Sequence, residues 1–178
     1  KHEHDGPSLI ELIDGNLLTQ AYEQNPNQLK DVFTQPFPPI VLLVEFDGVD
    51  RHLKKQLKHA HKIFEKHALV SRLAEDPETQ QLFRKIREIS SVVIGHNEAL
   101  LKAVPIIDDG AVPFDQMAEY INGIYDLFKK ANLKVAVWGH VGDANLHVQP
   151  RLNLGHVGDR QKAFRLMDEY YKMLISLG

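Results

Sequence analysis

Apolar residues recur in two different rhythms that divide the chain into predicted strands and helices. Alternating or unbroken apolar stretches bounded by Gly, Pro, Asp or Asn predict strands. They are Ser8 to Ile13, Ile40 to Val44, Ala68 to Leu73, Lys134 to Trp138 and Asn145 to Leu152. We expect the unbroken run Ile40 to Val44 to be a central strand, and the last two strands to pair as a hairpin across a tight glycine-containing turn.

Apolar residues that repeat every three to four positions predict five helices. Their ranges are Leu17 to Gln24, Val49 to His67, Asp76 to Gly95, Phe114 to Ala131 and Asp159 to Leu177. Asp76-Pro77 is a typical N-cap and first-turn pair, and Asp159 is expected to cap the last helix. The polar or Pro-containing stretches 25–39 and 105–109 are expected to be loops.

Strands separated by helices, together with one hairpin, predict an α+β fold. We expect a mostly antiparallel sheet with helices on one face, as a ferredoxin-like variant. With 178 residues, of which 43% are hydrophobic and 25% charged, the chain fits one globular domain. Residues 1–7 are polar and are expected to be a leader or linker, so the predicted domain spans residues 8–178.

Charge and composition exclude several classes of function. A formal net charge of −3 supplies no basic field for nucleic-acid binding. The chain has no Cys, which excludes disulfides, thiolate zinc sites and thiol nucleophiles. No apolar run approaches the roughly 20 residues of a membrane span. The expected location is therefore cytoplasmic, with peripheral membrane association of a longer protein as an alternative.

Two of the ten histidines stand out by position. His140 ends the first hairpin strand, and strand alternation places Asn145, His147 and Gln149 on one face of the second. The hairpin could bring both imidazoles to one point, which is half of a divalent metal site or a purely structural pair. The remaining histidines are expected to be ordinary surface, boundary or loop residues, and they are His2, His4, His52, His59, His61, His67, His96 and His156.

Residues 139–147 read Gly-His-Val-Gly-Asp-Ala-Asn-Leu-His. This run resembles the Gly-His-x-Gly-Asp-Gly-Asn-x-His signature of the C-terminal domain of FAD-linked oxidases. That family includes D-lactate dehydrogenase, the glycolate oxidase FAD subunit and D-2-hydroxyglutarate dehydrogenase. Three further segments follow in the family's order, and they are Leu43 to Gly48, Ile86-Arg87-Glu88 and Asp108 to Pro113.

The resemblance implies the substrate or cap domain of an FAD-dependent dehydrogenase that oxidises a small D-2-hydroxy acid, lactate-like or glycolate-like, with hydride transfer to the flavin. His140 and His147 are similar to the family's ligands of a divalent metal such as zinc or manganese. Arg87 is similar to the residue that holds the substrate carboxylate, and Asn145 and Gln149 are assigned to substrate binding. FAD is expected to be bound mainly by a separate domain of the same protein. A Gly-Glu-His-Gly segment with the candidate base is expected beyond Gly178.

Departures from the family pattern leave other interpretations open. Ala144 occupies a turn position where the family has Gly, which would strain the backbone if φ is positive there. Ile106-Ile107 occupies the region where some members place a Lys, which disfavours a dicarboxylate substrate. Glu45 and the pair Asp108-Asp109 are interpreted as structural. The alternative function is a ferredoxin-like binding or assembly module with structural histidines, and a zinc hydrolase is weaker because no Glu is near either His in sequence.

Overall fold

The computed structural model of the chain describes residues 6–48, 50–67, 70–90, 93 and 102–178. Within these ranges the strands are β1 (Leu9–Asp14), β2 (Ile40–Glu45), β3 (Lys102–Ala103), β4 (Ile107–Ala111), β5 (Val135–Gly139) and β6 (Asn145–Leu152). The helices are α1 (Gly15–Gln24), α2 (Asp50–His67), α3 (Pro77–Arg87), α4 (Met117–Lys130) and α5 (Val157–Leu177). No described helix is long and apolar enough to cross a membrane.

The strands form one antiparallel sheet in the order β2-β1-β5-β6, with β3 and β4 both pairing with β6. The α+β class with an antiparallel sheet is confirmed. The hairpin is also confirmed, since Val135 pairs with Pro150 and Trp138 with His147. Strand β1 therefore lies between β2 and the hairpin, and it borders the turn that contains His140.

Helices cover both faces of this sheet, and each face has its own hydrophobic core. Helices α4 and α5 pack on the face formed by alternate strand residues, namely Leu12, Val135, Val137, Leu146 and Val148. On the other face, Ile13, Ala136 and Trp138 pack against α1 and Ile86 of α3. We expected helices on one face of the sheet, and α4 and α5 cover such a face. Helices α1 and α3 form a second helical layer on the opposite face.

Two of the predicted strands need correction. Strand β2 lies at the end of the described sheet order, not at its centre, and Ile40 and Leu42 are 42% and 46% exposed. The apolar run could not show this, because it does not specify how many neighbours a strand has. Residues 70–73 form no strand, and Val70 is 77% exposed. Residues 68 and 69 lie outside the described part.

The predicted loop at 105–109 contains most of β4, whose Asp-Asp-Gly sequence has low strand propensity. Pairing with β6 overrides that propensity, with Ile107 opposite Val148 and Gly110 opposite Leu146. At the last helix, Asp159 is not the N-cap. Its carboxylate accepts from the Asn153 N–H at 3.0 Å, and the helix begins at Val157 after His156.

The stripe predicted for α3 is confirmed, since Ile86, Ile89 and Val93 are all buried and Leu82 packs beside them. Asp76 is the N-cap, with its Oδ1 accepting from the Thr79 N–H at 2.8 Å. Helix α3 is regular to Arg87, which carries that residue to the face of the sheet lined by Trp138. The stop predicted at Gly95 lies outside the described residues.

Candidate functional site

The β5–β6 connection brings the two predicted metal-binding histidines together. His140 directly follows β5, residues 141–143 form one 3-10 turn, and His147 lies in β6 opposite Trp138. The His140 carbonyl accepts from the N–H groups of Asp143 at 2.9 Å and Asn145 at 3.2 Å, which closes the turn. The two imidazole centroids are 5.6 Å apart and nearly perpendicular, at 81°.

Unusual backbone conformations at both ends allow so tight a connection. Gly139 has a φ of 140°, and a Cβ there would lie 2.9 Å from the Asn145 carbonyl oxygen, so only glycine fits. Ala144 has a φ of 52° and a ψ of 32°, which is the left-handed region that the sequence analysis considered for it. Its methyl group is buried in the core under α4 and α5, so a side chain in this strained conformation still gains contacts.

Glu11 belongs to the candidate site, although its position in the sequence was not interpreted as part of that site. Its side chain is 6% exposed, and its Oε1 lies 2.8 Å from His140 Nδ1. The same oxygen accepts from Arg87 Nε at 3.2 Å and lies 3.1 Å from Arg87 Nη2. A signal was present in the sequence, because alternation in β1 places Glu11 on the same face as Leu9 and Ile13, where a carboxylate is unexpected.

Arg87 of α3 therefore joins the candidate site by contacting the buried Glu11 of β1. Its side chain is 50% exposed, so the guanidinium lies between the buried carboxylate and solvent. A guanidinium has five N–H donors in a planar fork. Contact with Glu11 through Nε and Nη2 leaves the Nη1 edge for another acceptor. Phe83, one turn before Arg87 on α3, packs against the buried core.

A second carboxylate contacts the second histidine. Asp109 Oδ1 of β4 lies 3.2 Å from His147 Nδ1, so this residue, which was interpreted as structural, lies beside the candidate site. Its side chain is 62% exposed, in contrast to Glu11. The other carboxylate interpreted as structural, Glu45, lies 3.8 Å from Arg84 at the end of β2 and is half exposed.

The two histidines thus share one local arrangement, with Nδ1 facing a carboxylate. Histidines that bind metals in proteins commonly donate their second ring N–H to such a group. Within the described ranges, however, no three His, Asp or Glu side chains are grouped closely enough to hold a metal ion. The described donor set therefore provides two oriented imidazoles and no complete coordination shell.

Asn145 and Gln149 lie on the same face of β6 as His147, as the alternation predicted. Gln149 is 4% exposed, and Asn145 is half-buried. Their amide oxygens are buried and accept no hydrogen bond from the described residues. Since buried acceptors are normally satisfied, these two oxygens are suited to a donor from a bound water or ligand.

Most of the other histidines lie on the surface or at its boundary, as expected. His59, His67 and His156 are exposed, and His52 and His61 are intermediate. His2, His4 and His96 lie outside the described residues, and the structure describes no side chain for Asp108.

A cavity of about 830 Å³ opens elsewhere in the molecule. It is lined by the start of α1, the segment 35–40 and Tyr125, with the buried Asp14 at its wall. None of the predicted site residues lines it.

Comparison with known proteins agrees with the motif. The chain is 25% identical over 139 residues to glycolate oxidase subunit GlcD of Bacillus subtilis (strain 168), which covers 78% of this chain and 29% of that protein. It is 30% identical over 157 residues to D-2-hydroxyglutarate dehydrogenase of Pseudomonas putida (strain KT2440), covering 83% and 16%. A D-2-hydroxyglutarate dehydrogenase of Haemophilus influenzae (strain Rd) is 23% identical, covering 95% and 18%.

The chain thus spans less than a third of the length of these relatives. The sequence profile of the FAD linked oxidases, C-terminal domain, matches all of residues 1–178. On this match and on the hairpin motif that carries His140 and His147, the chain belongs to the C-terminal domain family of FAD linked oxidases.

Proposed function

We propose that the chain is the substrate-binding or cap domain of an FAD-dependent dehydrogenase that oxidises a small D-2-hydroxy acid. The observation that carries this proposal is the convergence of Arg87, Glu11, His140 and His147 on one face of the sheet. A cationic fork beside two imidazoles suits a molecule with a carboxylate next to a hydroxyl group. The proposed domain spans residues 8–178 and acts beside an FAD-binding domain of the same protein.

Arg87 is the proposed carboxylate-binding residue. Its Nε and Nη2 contact Glu11, which restrains the guanidinium and leaves its remaining edge for a second partner in a side chain that is half exposed. An arginine fork pairs with two carboxylate oxygens at once, so a guanidinium already held in place loses little entropy on binding. Asn145 and Gln149 are proposed to take the donors of the bound acid or of an ordered water with their buried amide oxygens.

His140 and His147 are the proposed ligands of a divalent cation, zinc or manganese. The carboxylates at their Nδ1 atoms support this role, because that contact orients the ring and raises its basicity. A bound cation would polarise the substrate hydroxyl. When bound, FAD would supply the acceptor for the hydride that leaves the hydroxyl-bearing carbon, and a base elsewhere in the full-length protein would take the hydroxyl proton. The protein's own part is to orient the carboxylate at Arg87 and the hydroxyl at the histidines.

The relatives are named for two kinds of hydroxy acid. Glycolate is small and has one carboxylate, whereas D-2-hydroxyglutarate has two. We propose the small, glycolate- or lactate-like class for this chain. Ile107, in the region where some members place a Lys, is fully buried in the core under α4 and α5. Because isoleucine is apolar, this position offers no cation that could pair with the second carboxylate of a dicarboxylic acid.

Arg87→Lys tests the proposal in the full-length oxidase that carries this domain. Lys keeps the charge but loses the planar fork, so KM for glycolate or D-lactate should rise by about tenfold or more, with a smaller change in kcat. Arg84→Lys is the matched control, because Arg84 lies on the same helix but is exposed and faces Glu45. Steady-state kinetics with glycolate, D-lactate and D-2-hydroxyglutarate provide the comparison.

Equal KM values in wild type and Arg87→Lys would remove Arg87 from the site. A higher kcat/KM for D-2-hydroxyglutarate than for glycolate and D-lactate would overturn the assignment to small acids. An oxidase inactive on all three acids would contradict the proposed function as a whole.

A further inference from the structure

Glu11 contacts two side chains of the proposed site through a single carboxylate oxygen. One oxygen, Oε1, lies 2.8 Å from His140 Nδ1, 3.1 Å from Arg87 Nη2 and 3.2 Å from Arg87 Nε. The carboxylate belongs to β1, the imidazole to the β5–β6 turn and the guanidinium to α3. Three separate elements therefore meet at one buried atom.

We propose that Glu11 is a positioning residue that sets the tautomer of His140 and holds Arg87 in the same contact. The inference rests on the proposed function for its role in catalysis, but the tautomer itself is a property of this chain. Glu11 touches neither a substrate nor a cofactor in this assignment. It acts through the two side chains that would.

The tautomer follows from hydrogen-bond chemistry. An ionised carboxylate only accepts hydrogen bonds, so the ring nitrogen that faces it must carry the proton. In the neutral His140 ring, the proton is then on Nδ1 and the lone pair on Nε2. His140 is 46% exposed, so the Nε2 edge can meet a cation or a hydroxyl proton. Without Glu11, either nitrogen could carry the proton.

The link to Arg87 follows from burial. A carboxylate that is 6% exposed is costly unless it is paired and hydrogen-bonded, and Arg87 together with the His140 N–H supplies both. Because the same oxygen serves both partners, a shift of Glu11 displaces the imidazole and the guanidinium together. The carboxylate-binding edge and the ligating nitrogen thus keep a fixed relation to each other.

The Asp109–His147 contact provides an internal contrast. Asp109 is also within reach of an imidazole Nδ1, but it is 62% exposed, and no arginine among the described residues forms an ion pair with its carboxylate. Replacing Asp109 should therefore affect His147 and leave both His140 and Arg87 in place.

Long-range ¹H–¹⁵N correlation spectra of the chain read the tautomer of His140 directly. They are best recorded about two pH units above the ordinary histidine pKa of about 6.5, where imidazoles are neutral. Wild type should show a roughly tenfold or greater excess of the Nδ1–H form, given a charge-assisted hydrogen bond. In Glu11→Gln the amide can donate to Nδ1, so the Nε2–H form should become comparable or dominant. Asp109→Asn should leave His140 in the Nδ1–H form.

An Nε2–H majority in wild type would overturn the inference, as would an unchanged tautomer in Glu11→Gln. If Glu11→Gln does not fold, Glu11→Asp is the second variant, since it keeps the charge and withdraws the oxygen by one methylene. It should give a mixture of tautomers. An Asp variant with the wild-type tautomer would also count against the assignment.

Kinetics of the full-length oxidase test the link to Arg87. Glu11→Gln should raise KM and lower kcat together, whereas Arg87→Lys acts mainly on KM. The double variant should lose less than the product of the single losses, because both remove one shared contact. Independent, multiplicative losses would refute the link. An inactive wild-type oxidase with the expected tautomers would refute the proposed function and leave the positioning of His140 intact.

Discussion

The side chains of the candidate site differ widely in how far they are buried. Glu11 is almost fully enclosed, His140 and Arg87 are about half exposed, and Asp109 is largely exposed. Ala144 sits behind this group, with a left-handed backbone and a buried methyl group. The position of His140 relative to His147 therefore depends on a residue that carries no chemistry itself.

Substitutions of Ala144 should reveal that dependence. In Ala144→Gly, relief of about 1 kcal/mol of left-handed strain is offset by chain entropy and the lost methyl contact, so stability should stay within about 1 kcal/mol of wild type. Ala144→Val places a β-branched residue at a φ of 52° and should destabilise by about 2 kcal/mol or more. Urea unfolding measures both variants.

Ala131→Val is the matched control, because Ala131 follows α4 with a φ of −79° and is half-buried. It should cost less than about 1 kcal/mol. If Ala144→Val were as stable as this control, the left-handed conformation of Ala144 would be contradicted.

At the scale of elements, two helices have an aspartate as N-cap, and the pKa values of the two aspartates are shifted in opposite directions. Asp14 caps α1 from a fully buried position, with Leu17 N–H and the Tyr125 hydroxyl donating to it at 2.8 and 3.0 Å. Burial raises its pKa from 3.8 to about 7, although these hydrogen bonds favour the carboxylate. Asp76 caps α3 at the surface, where the Thr79 N–H lowers its pKa.

The raised pKa of Asp14 predicts a pH dependence of stability with a definite sign. Between pH 3.8 and about 7 the folded state binds the proton that the unfolded state has lost, so this contribution to stability is complete below 3.8 and is lost as the pH rises. Over that window the free energy of unfolding of wild type should fall relative to Asp14→Asn, by roughly 2–4 kcal/mol. Asn keeps an acceptor for the Leu17 N–H, and the histidines cancel in the difference.

Unfolding of both proteins by urea at closely spaced pH values measures this difference. Asp76→Asn is the control, because a lowered pKa gives stability that is present above 3.8 and lost only as the pH falls through the folded pKa. Its difference from wild type should stay flat where that of Asp14→Asn changes. Parallel curves for wild type and Asp14→Asn would show that Asp14 does not titrate in this range.

At the scale of the whole molecule, the sheet separates a packed layer from a layer that carries the site. The strand residues under α4 and α5 are mainly apolar, although the buried Asp14 at the end of β1 also lies on this face and bonds to Tyr125 of α4. The other face carries Glu11, His147 and Gln149 among its apolar residues, and α3 brings Arg87 to it. The side chains of the candidate site therefore gather on one face, and each face also has its own hydrophobic core.

Metal binding by the chain is a prediction at this scale, because the two proposed ligands, His140 and His147, come from different parts of the hairpin. Two imidazoles are fewer than the three or four protein ligands that zinc prefers, so zinc and manganese should bind weakly, with a Kd above about 1 µM. Calorimetry on wild type and His140→Ala measures this, and binding should disappear in the variant. His156→Ala, at an exposed position, is the control. Equal binding by wild type and His140→Ala would contradict the assignment of His140 as a ligand.

The sequence by itself was sufficient for features that depend on neighbours along the chain. Alternation predicted β1, β5 and β6, and a 3.6-residue period predicted the apolar stripe of α3 through Ile86 and Ile89. The Gly-His-x-Gly-Asp run was specific enough to predict the family. These signals are local, because side-chain direction in a strand or helix repeats every two or 3.6 residues.

Only the tertiary structure decided which distant residues meet. Glu11 lies 129 positions from His140 and 76 from Arg87 along the chain, and no local period relates them. Their contact follows from the order β2-β1-β5-β6, which places β1 beside the hairpin and β2 at the end. The same pairing makes β4 a strand against the propensity of its Asp-Asp-Gly sequence. Strand order is set by which faces bury together across the whole fold, and that is a property of the packed molecule.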